Sequence, residues 1–166
     1  MFGCILIAFV LAGLGDQTGT LTFTKPAAWT DRAAASSMRV AEFVVPRASG
    51  DSEDGEVIVY YFGGGGGSVD ANLQRWTSQF QSTKDPVRTT ATVNGLKLTS
   101  LDVSGTYVAE MRPGSAEHYN KPGYRMRATV IETPKGPYFI KLTGPAKTVD
   151  SAGAAFDQFL RSLAFK

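Results

Sequence analysis

The segment Glu56–Phe62 (EVIVYYF) is apolar at almost every position and lacks the alternation of a strand with one wet face. A strand of that kind needs cover on both sides, which means a layered fold with a sheet in the middle. The chain has 166 residues and no linker between two hydrophobic halves, so one domain with one sheet is expected.

The neighbouring segments supply the rest of that sheet. Thr20–Thr24 reads as a short strand entering the Lys25-Pro26 turn, with Trp29 as an anchor near the core edge. Met38–Pro46 (MRVAEFVVP) is a β-branched strand ended by proline, and Arg47–Gly55 is the polar hairpin loop after it. Asn94-Gly95, between Thr89–Val93 and Leu96–Val103, predicts a type I′ hairpin because both residues tolerate positive φ. Thr106–Met111 extends the sheet, and Arg112–Gly123 is loop. Tyr124–Thr133 alternates, with Tyr124, Met126, Ala128 and Val130 on one face and Arg125, Arg127 and Thr129 on the other. Thr133-Pro134-Lys135-Gly136 suits a type I turn, and Pro137–Thr143 returns antiparallel.

Two helices complete the pattern. Ser68 is placed to cap the first, Asp70 falls in its first turn, and Val69, Leu73, Trp76 and Phe80 form one apolar face. The second is expected from about Val149 to Ala164, with Phe156, Phe159, Leu160 and Leu163 among its apolar residues. The expected class is α+β, a largely antiparallel sheet flanked by helices.

Phe2–Leu14 is an apolar run ending at polar residues from Asp16. It is too short to span a bilayer as a helix but fits the core of a signal peptide, although no Lys or Arg precedes it. We therefore expect residues 1–15 to be a signal peptide and 16–166 a single exported domain, periplasmic or extracellular, with no transmembrane span. A buried first element, which would leave the protein cytoplasmic, and a short membrane anchor are the alternatives. The single cysteine, Cys4, excludes an internal disulfide and a cysteine metal site.

Three segments carry a resemblance: Phe23-x-x-Pro26-x-x-Trp29, YYFGGGGGSVDANLQRW, and GPYFIKLTGPAKTV before the closing helix. Together they resemble a group of uncharacterised bacterial exported proteins, similar to the PsbP-like α/β/α sandwich superfamily. That superfamily includes extrinsic photosystem subunits and a Ran-binding nuclear-transport factor. The resemblance implies a fold and mostly non-catalytic roles in assembly or partner binding, with no residue-level motif to transfer.

The residues themselves narrow the function by exclusion. A net charge of +2 gives no basic stripe for nucleic acid. The glycine run Gly63–Gly67 before Ser68 invites an anion-loop reading through Gly65, Gly66, Gly67 and Ser68, but the lysine of a phosphate loop is missing. His118 is the single histidine, and nothing pairs it with Ser115 as a nucleophile. Asp51, Glu53, Asp54 and Glu56 lack the EF-hand glycine. Arg125 and Arg127, with Arg112 and Lys121 before them, are a candidate cationic patch; the plain alternative is arginine stems packed under a helix. Trp76 with Asn72 and Arg75 is a second candidate surface, set against core packing of Trp76. The expectation is a monomeric, non-enzymatic domain without metal or cofactor that binds a protein partner or envelope component. The rival is a small-ligand or anion-binding domain using the glycine loop and nearby arginines. A concave pocket lined by Arg112, Arg125, Trp76 or the glycine loop would favour the rival, and a flat exposed apolar patch of several hundred Å² a protein partner.

Overall fold

The computed structural model describes residues 19–81, 83–84 and 86–166; the signal-peptide reading lies outside the described residues. In chain order the elements are β1 (Leu21–Thr22), β2 (Thr30–Arg32), β3 (Arg39–Val45), β4 (Gly55–Tyr61), α1 (Val69–Thr77), β5 (Phe80–Gln81) and β6 (Val87–Val93). There follow β7 (Leu96–Tyr107), β8 (Lys121–Glu132), β9 (Tyr138–Pro145), α2 (Ala146–Ser151), α3 (Gly153–Arg161) and β10 (Ala164–Phe165). The main sheet has eight strands in the order β2-β3-β4-β9-β8-β7-β5, with β6 also paired to β7, and each pairing is antiparallel. A separate two-stranded ribbon joins β1 to β10.

Local chemistry explains the strongest elements. Asn94 has φ 48° and Gly95 φ 82°, the two positive angles of the expected hairpin between β6 and β7. The Gly136 amide donates to the Thr133 carbonyl at 3.0 Å, closing the turn between β8 and β9. Ser68 Oγ accepts from the Ala71 amide, and Asp70 sits in the first turn of α1. Ser68→Ala should lower stability by about 1 kcal/mol. Urea unfolding would measure it, and an unchanged midpoint would mean the cap is dispensable.

The period of two in β8 divides the core. Met126, Ala128 and Val130 pack under α1 with Leu73, Trp76, Leu101, Val103 and Phe139. On the opposite face, Val57, Val59, Ile131, Ile140 and Leu142 meet Phe156 and Phe159 of α3, with Trp29 and Phe43 in the same cluster. This is an α/β/α sandwich.

Three details depart from the sequence expectations. The C-terminal helix begins at Ala146, breaks at Ala152-Gly153, where glycine lowers helix preference, and ends at Arg161; Ala164 belongs to a strand instead. Phe80 lies beyond α1, in β5, although it still joins the core beneath that helix. Residues 108–111 leave the sheet, and Glu110 pairs instead with His118 in an isolated bridge within the loop between β7 and β8.

The fourth departure concerns β4. It is a central strand, but one of its faces is half open. A nine-residue α1 is about 14 Å long and roughly 10 Å across, whereas the sheet is seven strands wide, β5 and β6 sharing one edge of β7, or about 29 Å. The helix covers β7 and β8, and leaves β4 and the adjoining part of β9 facing outward.

Candidate functional site

The uncovered half of the sheet forms a groove beside α1. Its first part has a volume of about 560 Å³ and is lined by Arg39, Glu56, Ile58 and Tyr60 from β3 and β4, Arg75 and Gln79 from α1 and the turn after it, Tyr107, Tyr119 and Lys141. A second part of about 500 Å³ continues past Tyr107 and Tyr119 to Lys121, Tyr124 and Arg32. Glu56, Tyr107, Tyr119 and Thr143 line both, so the two are one groove. At the α1 end a recess of about 170 Å³ opens between Phe62, Trp76 and Phe139, with Arg75 and Lys141 at its mouth.

Stacked rings shape the walls. Tyr107 lies parallel to Tyr119 at 5.6 Å and to Tyr124 at 6.0 Å, and Tyr60 stacks on Phe62 at 5.9 Å. Burial pushes the Tyr60 and Tyr107 phenols above their ordinary range, so both stay neutral hydrogen-bond donors at physiological pH.

The carboxylates in and beside the groove are engaged. Glu42, 3% exposed, accepts from the Ala35 amide at 2.7 Å, from Arg39 at 2.9 Å and from Arg32 at 3.1 Å. Burial alone would raise its pKa; the amide and the two guanidiniums outweigh this and hold it below the usual carboxylate range. Arg32 also pairs with Glu56 at 2.5 Å, and Glu53 binds Lys121 and the Tyr124 hydroxyl.

Lys141 differs from these ion pairs. It occupies β9 opposite Ile58 on one side and Ala128 on the other, so its ammonium rises from an apolar floor. Its Nζ donates to Gln79 Oε1 at 3.0 Å. Burial pushes its pKa down to about 8, and the nearby positive charges of Arg75 and Arg39 add to the fall against the opposing effect of Glu56. Arg75 likewise donates to a neutral amide, Asn72 Oδ1, at 2.5 Å. Among the described residues neither Lys141 nor Arg75 has a carboxylate partner.

The structure redistributes the residues singled out from the sequence. Arg75 lines the groove. Trp76 is 2% exposed, a core residue whose edge floors the recess. Asn72 is buried and clasps the glycine segment, its Nδ2 donating to the Gly66 and Ser68 carbonyls at 2.8 Å each. In the loop Gly65, Gly66, Gly67 and Ser68, the Gly65 amide in turn donates to the Phe62 carbonyl at 3.1 Å. Gly66 packs against the Phe139 and Phe62 rings, and Gly64 lies on the β8–β9 turn.

The cationic patch is also taken apart. Arg125 and Arg127 share a face, but it is the one beneath α2 and α3, because odd-numbered positions of β8 point there. Arg125 grips Asp102 with two donors and also meets Asp150; Arg127 binds Asp157 at 2.6 Å and lies over the Phe156 ring. Arg112 is exposed and pairs with Glu117 at 3.4 Å, away from both. Lys121 belongs to the groove on the other face.

His118 Nδ1–H donates to the Val108 carbonyl at 2.9 Å, while Ser115 Oγ accepts from the Glu117 amide at 3.0 Å, so the two are not paired. In the acidic loop, Asp51 accepts from Thr148 and Asp54 from the Arg47 amide. Among the described residues no three His, Cys, Asp or Glu side chains gather as a metal site. Sequence reasoning missed Lys141, Arg39, Gln79 and the tyrosines of the groove. A charged residue inside the apolar run Tyr138–Leu142 was the signal for Lys141.

No family model and no curated protein matches the sequence. Solved structures do. A protein of unknown function from Pseudomonas aeruginosa, PA94, is 18% identical over 87% of this chain and 96% of its own, with a TM-score of 0.55. Cyanobacterial PsbP from Synechocystis is 14% identical over 95% of this chain and 98% of its own, with a TM-score of 0.50. At such identities the likeness concerns the fold. This chain has the PsbP-like fold, a largely antiparallel sheet between helices.

Proposed function

We propose that this is a non-enzymatic, exported domain that holds an extended segment of a partner protein in the groove on the open face of its sheet. The observation that carries this reading is the continuity of the groove: two concavities share Tyr107, Tyr119, Glu56 and Thr143. Small-molecule sites are usually enclosed and mostly apolar, whereas this one is long, open and lined with hydrogen-bonding side chains. Met111, 46% exposed, adds an apolar contact at its rim. Binding rather than catalysis is supported by the engagement of Glu42, Glu53 and Glu56 with cations, and of His118 with a carbonyl. Export is supported by the apolar run Phe2–Leu14. Among the described residues no helix is long and apolar enough to cross a membrane.

A photo-crosslinking amino acid at Met111 or Tyr119, introduced in the native cell, should join the protein to one contiguous segment of a single partner. The same group at Gln158, on α3, should not. Crosslinks from Gln158 with none from the groove would place the interface on the opposite face and end this reading.

A further inference from the structure

The α1 end of the groove combines two features that point to one kind of ligand group. The first is the recess between Phe62, Trp76 and Phe139. A cavity of about 150 Å³ suffices for a benzene ring, so a recess of about 170 Å³ has room for one aromatic side chain. Ring-on-ring packing there would be edge-to-face or offset, as Trp76 already meets Phe139 at 83° and 6.3 Å.

The second feature is the pair of cations at the mouth of the recess. Lys141 and Arg75 are each steadied by a neutral amide, Gln79 and Asn72 respectively. An ammonium has three donors and a guanidinium five, so each keeps donors to spare. Arg75, Gln79 and Lys141 all line the recess, and the ammonium is held there by the Gln79 side-chain amide. Two like charges with no carboxylate between them are relieved by an anion that both can reach.

Building on the groove reading, we propose that the bound segment carries an aromatic residue lodged among Phe62, Trp76 and Phe139, with an adjacent carboxylate held by Arg75 and Lys141. An acidic side chain next to the aromatic residue and the chain's own terminal carboxylate present the same chemistry.

The chain's two tryptophans make the test direct. Trp76 floors the recess, whereas Trp29 lies in the core on the other face of the sheet, against Phe43 and Phe159. The ¹⁵N-labelled protein would be titrated with N-acetyl-Phe-Asp-amide, N-acetyl-Phe-Asn-amide, N-acetyl-Ala-Asp-amide and N-acetyl-Phe, whose carboxylate is terminal. The Phe-Asp probe or N-acetyl-Phe should shift the Trp76 indole resonance saturably and leave Trp29 in place. The better of these two should bind at least about tenfold more tightly than Phe-Asn, a difference of about 1.4 kcal/mol. Arg75→Gln and Lys141→Met should each abolish that preference while preserving the weaker Phe-Asn binding, which shows that the recess is intact. Equal affinity for the acid and amide forms would overturn the carboxylate assignment. Equal affinity for Phe-Asp and Ala-Asp would overturn the aromatic one. A Trp76 resonance unmoved by every probe would overturn both, and the crosslinking result would still decide the groove reading independently.

Discussion

Lys141→Met should make the protein more stable at neutral pH, by about 2–3 kcal/mol, or a melting temperature roughly 5–10 °C higher. Lysine at this position stands between Ile58 and Ala128 and is half-buried. Its pKa, lowered from 10.5 to about 8, measures the cost of keeping it charged there. Burial is the larger cause, followed by the repulsion of Arg75 and Arg39, with Glu56 opposing. Methionine keeps the unbranched stem and removes the charge, though it also gives up the Gln79 hydrogen bond, which is why the gain falls somewhat short of the full shift.

The sign with pH follows from proton counts. Below pH 8 both folded and unfolded chains hold the lysine proton, and the full cost is present. Between about pH 8 and 10.5 the unfolded chain binds more protons, so the natural protein gains stability from this group as pH rises. The advantage of the methionine variant should therefore shrink across that window. Melting curves of both proteins at pH 7 and pH 10 check it; no gain at pH 7, or an equal gain at both values, would contradict the burial argument. Loss of the aromatic-acid preference together with higher stability would identify Lys141 as a residue that binding, rather than folding, requires.

Gly136→Ala should act in the opposite direction, lowering stability by about 3–5 kcal/mol. Gly136 adopts φ +97°, and a Cβ there would lie 2.4 Å from Gly64 Cα and 2.7 Å from the Gly64 carbonyl oxygen. Both obstacles are backbone, so the clash is relieved only by separating the glycine loop from the β8–β9 turn. Gly114→Ala is the control: it has φ +75° but open space around it, and should lose about 1–2 kcal/mol from conformation alone. Urea unfolding of both variants measures the difference. Equal losses would mean that the close approach contributes nothing.

These cases show what was legible in the sequence and what was not. The Asn94-Gly95 hairpin, the Ser68 cap and the alternation of Tyr124–Val130 depend on residues a few positions apart, and their chemistry specifies local geometry. The apolar run Glu56–Phe62 pointed to the layered class that is found, although α1 leaves one face of that strand open to the groove. The β2 strand Thr30–Arg32 was illegible: it is exposed throughout and exists by pairing with β3. The groove was illegible for a different reason. It arises from the mismatch between a short α1 and a wide sheet, and no single segment records that mismatch. Arg112, Arg125 and Arg127 looked like one patch because they are near in sequence, yet strand direction and the α2–α3 layer separate them. Lys141 was hidden within a run read simply as a return strand.

The β1–β10 ribbon sets the polarity of the whole molecule. Leu21 faces Phe165, Thr22 faces Ala164, and Thr20 and Lys166 exchange backbone hydrogen bonds, so both ends of the described chain leave from one place. Leu21 and Phe165 pack into the core on the α3 side of the sheet, away from the groove. A tether joined at either end would thus hold the molecule by its back. The groove would then look outward from the anchoring surface.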